Sequence, residues 1–144
     1  MQRMGYRIIP VRPGLDAGLG EKAYPDLSSV PDAIDIVDVF RAGDKTDPVF
    51  EECLKLGYYI SFSGIITFKN ADSLRAVARD LVPLNRLLVE TDSPFLTPVP
   101  HRGKKNQPAY TRLVAEKIAE LKQLSLEMVA AQTRANTERL FVPG

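Results

Sequence analysis

The stretch Tyr58-Tyr-Ile-Ser-Phe-Ser-Gly-Ile-Ile66 decides the fold. It is a short run of aromatic and β-branched residues, which reads as a strand broken at Gly64. Just before it, Asp47-Pro48 supplies an N-cap and a proline at the first helical position. Val49, Phe50, Cys53, Leu54 and Leu56 then mark one buried stripe, and Gly57 suits the helix end. Just after it, Asn70 opens a helix with Leu74, Val77, Ala78 and Leu81 on one face, stopped by Pro83. Arg86-Leu-Leu-Val-Glu90 is the next strand, followed by a proline-punctuated loop over residues 91–107. Pro108 opens a long helix carrying Tyr110, Leu113, Val114, Ile118 and Leu121. Ser125 caps a last helical segment, with a break to be looked for near Thr133.

Working toward the N-terminus, Ala33-Ile-Asp-Ile-Val-Asp-Val-Phe40 and Tyr6-Arg-Ile-Ile-Pro-Val11 read as two further strands, apolar on both faces apart from Asp35 and Asp38. The segment between them, residues 14–31, reads as a long connection with irregular helical turns. Strands that alternate with helices indicate an α/β domain with a mostly parallel sheet. Right-handed crossovers then favour a doubly wound, four-stranded, flavodoxin- or Rossmann-like sheet over residues 1–144 as one domain, and the order 2-1-3-4 within it is what the second family resemblance quoted below implies. A (βα)4 half-barrel is the alternative.

Composition narrows the chemistry. The 144 residues are 44% hydrophobic and 26% charged with a formal charge of +1, so no global field recruits nucleic acid or an anionic surface. No apolar run reaches the ~18 residues of a membrane span, and no signal peptide is visible, so a cytoplasmic location is expected. One cysteine, Cys53, rules out disulfide scaffolding within the chain, and one histidine, His101, rules out a site built on two imidazoles of this chain.

Two family resemblances emerge. Gly57-Tyr-Tyr-Ile-Ser-Phe-Ser-Gly-Ile-Ile-Thr-Phe-Lys-Asn-Ala71, Leu87-Leu-Val-Glu-Thr-Asp-Ser-Pro-Phe-Leu96 and Pro100-His-Arg-Gly-Lys-Lys-Asn-Gln-Pro108 closely resemble the TatD family of metal-dependent deoxyribonucleases. That resemblance runs over residues 57–142 and implies the last two β/α units of a (β/α)8 barrel. Gly5-Tyr-Arg-Ile-Ile-Pro-Val-Arg-Pro13, Gly20-Glu-Lys-Ala-Tyr-Pro-Asp-Leu27 and Asp35-Ile-Val-Asp-Val-Phe-Arg41 resemble the CoA-binding Rossmann-like family over residues 1–50. The pairing suggests a chimera joined within residues 45–57.

The resemblances also suggest which residues carry chemistry. In the TatD family the metals are held by a His-x-His pair, a Glu, further histidines and an Asp after the last strand. Asp92 matches that Asp, and Glu90 is the carboxylate beside it, two residues away on a strand end; both are vestigial metal ligands in this reading. Arg12, Pro13, Phe40 and Arg41 match loops that line part of a CoA cleft, a vestigial cofactor site without its glycine-rich phosphate turn. The loop with His101, Arg102, Lys104 and Lys105 is basic, but no aromatic stacking platform accompanies it in sequence.

The expectation is therefore an engineered or recombined α/β scaffold that is not an enzyme, with no cofactor, no specific small-molecule substrate and no specific nucleic acid. The alternatives are a residual TatD-like DNase fragment and a weak CoA or nucleotide binder. In order 2-1-3-4, strand 33–40 would be an apolar sheet edge, which suggests a homodimer paired through that edge or through exchanged C-terminal helices.

Overall fold

The computed structural model describes Gly5, residues 7–39 and residues 47–141. It divides into two compact units, Met1–Arg41 and Ala42–Gly144.

In the first unit the regular structure is a small antiparallel hairpin, β1 (Ala17–Gly18) with β2 (Glu21–Lys22). Its two-residue turn is Leu19-Gly20, both at positive φ (54° and 81°), the twist that tight hairpins require. Val11 bridges Tyr24 in parallel, with the Arg12 N–H donating to the Tyr24 carbonyl at 2.7 Å. Arg7 binds this unit together from outside, pairing with Glu21 at 3.0 Å and with Asp32 at 2.9 Å.

The second unit is built around a parallel strand pair. Helix α1 (Asp47–Lys55) ends in a Schellman arrangement: the Tyr58 N–H donates to Cys53, the Gly57 N–H donates to Leu54, and Gly57 takes φ 83°. The chain then enters β3 (Ile60–Phe62), a short 3-10 turn (Gly64–Thr67) and α2 (Asp72–Ala76). A π turn over Val77–Leu81 extends α2, closed by the Val82 N–H on the Val77 carbonyl, and Pro83 stops it. Strand β4 (Leu87–Val89) lies parallel to β3 in the register Ile60↔Leu87, Ser61↔Leu88 and Phe62↔Val89.

Two long helices follow, α3 (Thr111–Lys122) and α4 (Leu126–Phe141). Gln123, at φ 55°, turns the chain between them with the same two backbone bonds that Gly57 makes possible after α1. The Ser125 hydroxyl caps α4 by accepting the Met128 N–H at 3.2 Å. The core between the strand pair and the helices holds Phe62, Ile66, Val82, Leu87, Val114, Ile118 and Val129, each at most 2% exposed. Full burial of one such side chain is worth roughly 1.5–3 kcal/mol. One polar group sits among them. Asn136 on α4 is fully buried and donates to the carbonyls of Leu84 and Leu87, at 2.9 and 2.8 Å, anchoring the helix to the start of β4.

Several expectations give way. Among the described residues there is no four-stranded sheet of order 2-1-3-4, only two separate two-stranded sheets. Residues 33–39 form no strand and Ile36 is 69% exposed, so the self-pairing edge expected there has no strand to carry it. The reason is visible in the charges: Asp32, Asp35 and Asp38 recur every three residues, and burying both faces of such a segment would desolvate carboxylates. Residues 7–10 likewise form no strand, and the segment read as helical turns holds the hairpin instead. Helix α4 runs unbroken through Thr133, whose hydroxyl donates back to the Val129 carbonyl at 2.9 Å.

Candidate active site at the carboxyl ends of the parallel strands

In parallel β/α structure, the loops that leave the carboxyl ends of the strands are where functional groups gather. Here those loops are residues 63–71 after β3 and residues 90–107 after β4. The β ladder continues one step past β4, with the Glu90 N–H donating to the Phe62 carbonyl at 2.9 Å. The chain then leaves the extended conformation at Asp92, which takes φ 54°. Residues two apart share a face only while the strand stays extended, so the carboxylates of Glu90 and Asp92 are not related by strand alternation. Both residues are exposed.

The loop that carries Asp92 is held from below by one side chain. Asn106 is 4% exposed and donates to the carbonyls of Thr91 and Phe95, each at 2.6 Å. Its Oδ1 accepts the Gln107 N–H at 2.9 Å, and its own N–H donates to Pro94 at 3.1 Å. Within the loop, the Phe95 N–H closes on the Asp92 carbonyl at 2.8 Å, and the hydroxyls of Thr91 and Ser93 share a 2.6 Å hydrogen bond. Every polar atom of the Asn106 side chain is thus committed to shaping residues 91–107. The sequence cues to Asn106 are its place in the Pro100–Pro108 stretch that carries the family resemblance and its position just before Gln107-Pro108, where the next helix opens; neither announces its bonds to Thr91 and Phe95.

The two loops also lock to each other. A Cβ added at Gly64 would overlap the Leu96 carbonyl oxygen and lie 3.1 Å from Pro98. Thr67 donates its hydroxyl to Gly64 and accepts the Val99 N–H at 2.9 Å. Arg102 lays its guanidinium on the Phe68 ring, 3.8 Å from the centroid, and donates to the Thr97 carbonyl. His101 stacks on Tyr110 with ring centroids 4.3 Å apart.

The metal question follows from these positions. Among the described residues no group of three or more His, Cys, Asp or Glu is placed to hold a metal ion. The carboxylates of Asp92 and Glu90 are hard oxygen donors of the kind that Mg²⁺ and Mn²⁺ take, but two of them do not make a complete centre. Of the expected CoA-contacting residues, Arg12 and Pro13 are exposed beside the bridge at Val11, and Phe40 and Arg41 lie outside the described residues.

Comparison with known proteins settles the larger assignment. Residues 41–142 match the family model for TatD related DNase. The chain is 64% identical over 88 residues to the metal-dependent hydrolase YcfH of Escherichia coli K12, which covers 61% of this chain and 33% of that protein. It is 52% identical over 93 residues to the metal-dependent hydrolase YabD of Bacillus subtilis, 65% of this chain and 36% of that one. Among solved structures, the TatD homologue YjjV of Escherichia coli aligns at TM-score 0.60 and 30% identity, covering 73% of this chain and 39% of that one. A TatD-family hydrolase of Entamoeba histolytica aligns at TM-score 0.56 and 19% identity, over 67% of this chain and 39% of its own, a likeness of fold. The chain therefore spans about a third of the length of the curated relatives it matches.

These findings correct the functional expectation. An engineered or recombined, catalytically inert scaffold does not stand against close similarity to natural hydrolases from distant bacteria. The non-enzyme reading falls with it, since the matched family is one of DNases. Nothing in the comparisons or in the fold of residues 7–39 supports a CoA-binding Rossmann-like component or a chimera, and the family match begins at residue 41, inside the segment assigned to it. No helix among the described residues is long and apolar enough to cross a membrane. With residues 41–142 of the 144 matched by its family model, the chain belongs to the TatD related DNase family.

Proposed function

We propose that residues 41–142 form part of a metal-dependent hydrolase acting on DNA, to which Asp92 contributes a carboxylate at the carboxyl end of β4. The observation that carries this reading is the coincidence of the family match with the position of Asp92, on a loop whose backbone is fixed by Asn106. The remaining donors come from outside the described residues, because no three-ligand group is present among them. Glu90, at the last step of the β ladder, is the neighbouring carboxylate in sequence, and the turn at Asp92 takes the two off a shared strand face.

A graft tests the proposal. Residues 41–142 replace the matching segment of YcfH, and hydrolysis of DNA is measured with Mn²⁺ or Mg²⁺ and with chelator. The graft should cleave DNA in a metal-dependent way, and Asp92→Asn within it should cost at least ~100-fold, more than the loss typical of residues behind the ligands. An inert graft from an active parent, or a graft indifferent to Asp92→Asn, would overturn the assignment. A parent that leaves DNA intact under the same conditions would overturn the choice of substrate.

A further inference from the structure

Two residues of the loop after β4 take left-handed backbone conformations that side chains disfavour, Asp92 at φ 54° and Leu96 at φ 49°. Aspartate enters that region more readily than most residues, because its short polar side chain can bond locally. Leucine has no such bond to offer. Local preference therefore does not account for both turns, and an outside constraint has to hold them.

Asn106 supplies that constraint. The torsion φ of a residue is the rotation of the peptide plane that leads into it, and the Asn106 side-chain amide grips those two planes. One hydrogen goes to the carbonyl of Thr91, which precedes Asp92, and the other to the carbonyl of Phe95, which precedes Leu96. The clamp is itself immobile: Asn106 is 4% exposed, its Oδ1 accepts the Gln107 N–H, and its own N–H donates to Pro94.

Each turn has a consequence. An extended backbone at Asp92 would return its side chain to the face of Glu90, two residues before it, and the left-handed turn prevents this. The turn at Leu96 sets the carbonyl that lies against Gly64, where no Cβ fits. One amide thus governs both where the carboxylate stands and how its loop seats on the neighbouring one.

We propose that Asn106 is a positioning residue for Asp92: its amide imposes the left-handed turn that places the carboxylate, and through it sets the affinity of the centre for its metal. The part that concerns the metal rests on the hydrolase reading above.

The first test needs neither metal nor substrate. A positive φ brings a residue's own amide and α protons together, so Asp92 and Leu96 should each give a strong intraresidue NOE in the isotope-labelled 144-residue protein. Asn106→Asp, close in shape but without a hydrogen to donate once ionised, should weaken both to the level of the extended residues Ile60–Phe62. Asn106→Ser, which keeps a single donor, should weaken at least one and carries the test if the aspartate variant does not fold. Strong NOEs at both positions in either folded variant would overturn the proposal.

The second test uses the YcfH graft, with Mn²⁺ affinity read by electron paramagnetic resonance. Asn106→Ser should raise the half-saturating Mn²⁺ concentration by about 10–100-fold, and saturating Mn²⁺ should restore most of the rate. Val129→Ala, which removes fully buried packing on α4, should lower the Tm and leave Mn²⁺ affinity unchanged. An unshifted affinity for Asn106→Ser, a shift as large for Val129→Ala, or a rate that excess Mn²⁺ does not restore would overturn the positioning role. The two readings fail separately. Lost NOEs with an inert graft sink the hydrolase reading alone, and an active graft with unshifted Mn²⁺ affinity sinks this one alone.

Discussion

The side-chain amide of Asn106 donates to the backbone carbonyl of Thr91 at 2.6 Å, bridging 15 residues of chain to fix the residue that precedes Asp92. A second donation, to Phe95, closes the other side of the same loop. Removing both donors leaves two part-buried carbonyls without their partners, each costing toward the lower end of the about 1–3 kcal/mol that a fully buried group costs. Asn106→Ala should therefore lower the stability of the second unit by about 2–3 kcal/mol in urea denaturation. Asn106→Asp is the sharper variant, since an ionised carboxylate offers those carbonyls no hydrogen at all. An Asp variant as stable as the parent would refute the donor assignment.

Gly64 sits where the loops after β3 and β4 touch. In alanine one Cα hydrogen is replaced by a methyl group that meets the Leu96 carbonyl, a backbone atom with no rotamer to escape into. Gly64→Ala should destabilise by about 1–3 kcal/mol, the usual range for overpacking. Thermal melting of this one variant checks it, and an unchanged Tm would mean that the loops yield more readily than the contact implies.

Asn136 poses the same question deeper in the core. It donates to Leu84 and Leu87 and accepts from Gln132 at 2.8 Å. Asn136→Leu keeps the branching of the side chain but is bulkier and strips two carbonyls of their partners, so a loss of roughly 2–4 kcal/mol is expected. Amide exchange should show the loss concentrated at β4 and the C-terminal half of α4. Uniform loss across the unit would argue against a local anchor.

Cys53 gives a pH-dependent prediction. Burial, with the nearby charge of Glu52 adding to it, pushes its thiol up to about 11 from an ordinary value of 9.0. The folded form holds its proton more tightly than the unfolded one, so the contribution to stability is complete below pH ~9 and is lost as pH rises toward ~11. Cys53→Ala should flatten the stability profile in that window relative to the parent. The thiol should also resist disulfide reagents at pH 8 until the protein is unfolded. Stoichiometric labelling of the native protein within minutes would contradict its burial.

The parts of this fold that local chemistry writes were legible in the sequence. Gly57 after the stripe of α1, Pro83 after α2, Pro108 before α3 and Ser125 before α4 are all punctuation with a physical cause, and each falls at an element boundary. The strand pair at Ile60–Phe62 and Leu87–Val89 was visible as apolar runs, though shorter than the runs themselves. The hairpin at residues 17–22 was hidden because its turn is Leu19-Gly20, without the Asn or Asp that usually announces two positive φ angles. The end of α3 was hidden in the same way, since Gln123 occupies a left-handed position that glycine normally takes. Asp92 could be picked out by resemblance. Its setting could not, because Asn106 acts across 15 residues through backbone carbonyls that carry no sequence signature. Apolar content alone misleads at residues 33–39, where Asp35 and Asp38, with Asp32 just before them, outweigh the aliphatic residues between them.

Thr67 is both donor and acceptor at the seam between the loops, giving its hydrogen to Gly64 and taking that of Val99. A hydroxyl used in both directions makes its two bonds interdependent: whichever breaks first weakens the other by polarisation. The amide of Val99 thereby becomes a built-in reporter. Its hydrogen is held by Thr67 at 2.9 Å on a residue that is itself 46% exposed, so its exchange is slowed chiefly by the closed seam between the loops. A single resonance on an accessible residue would then time the opening of the wall that separates the Asp92 loop from the end of β3.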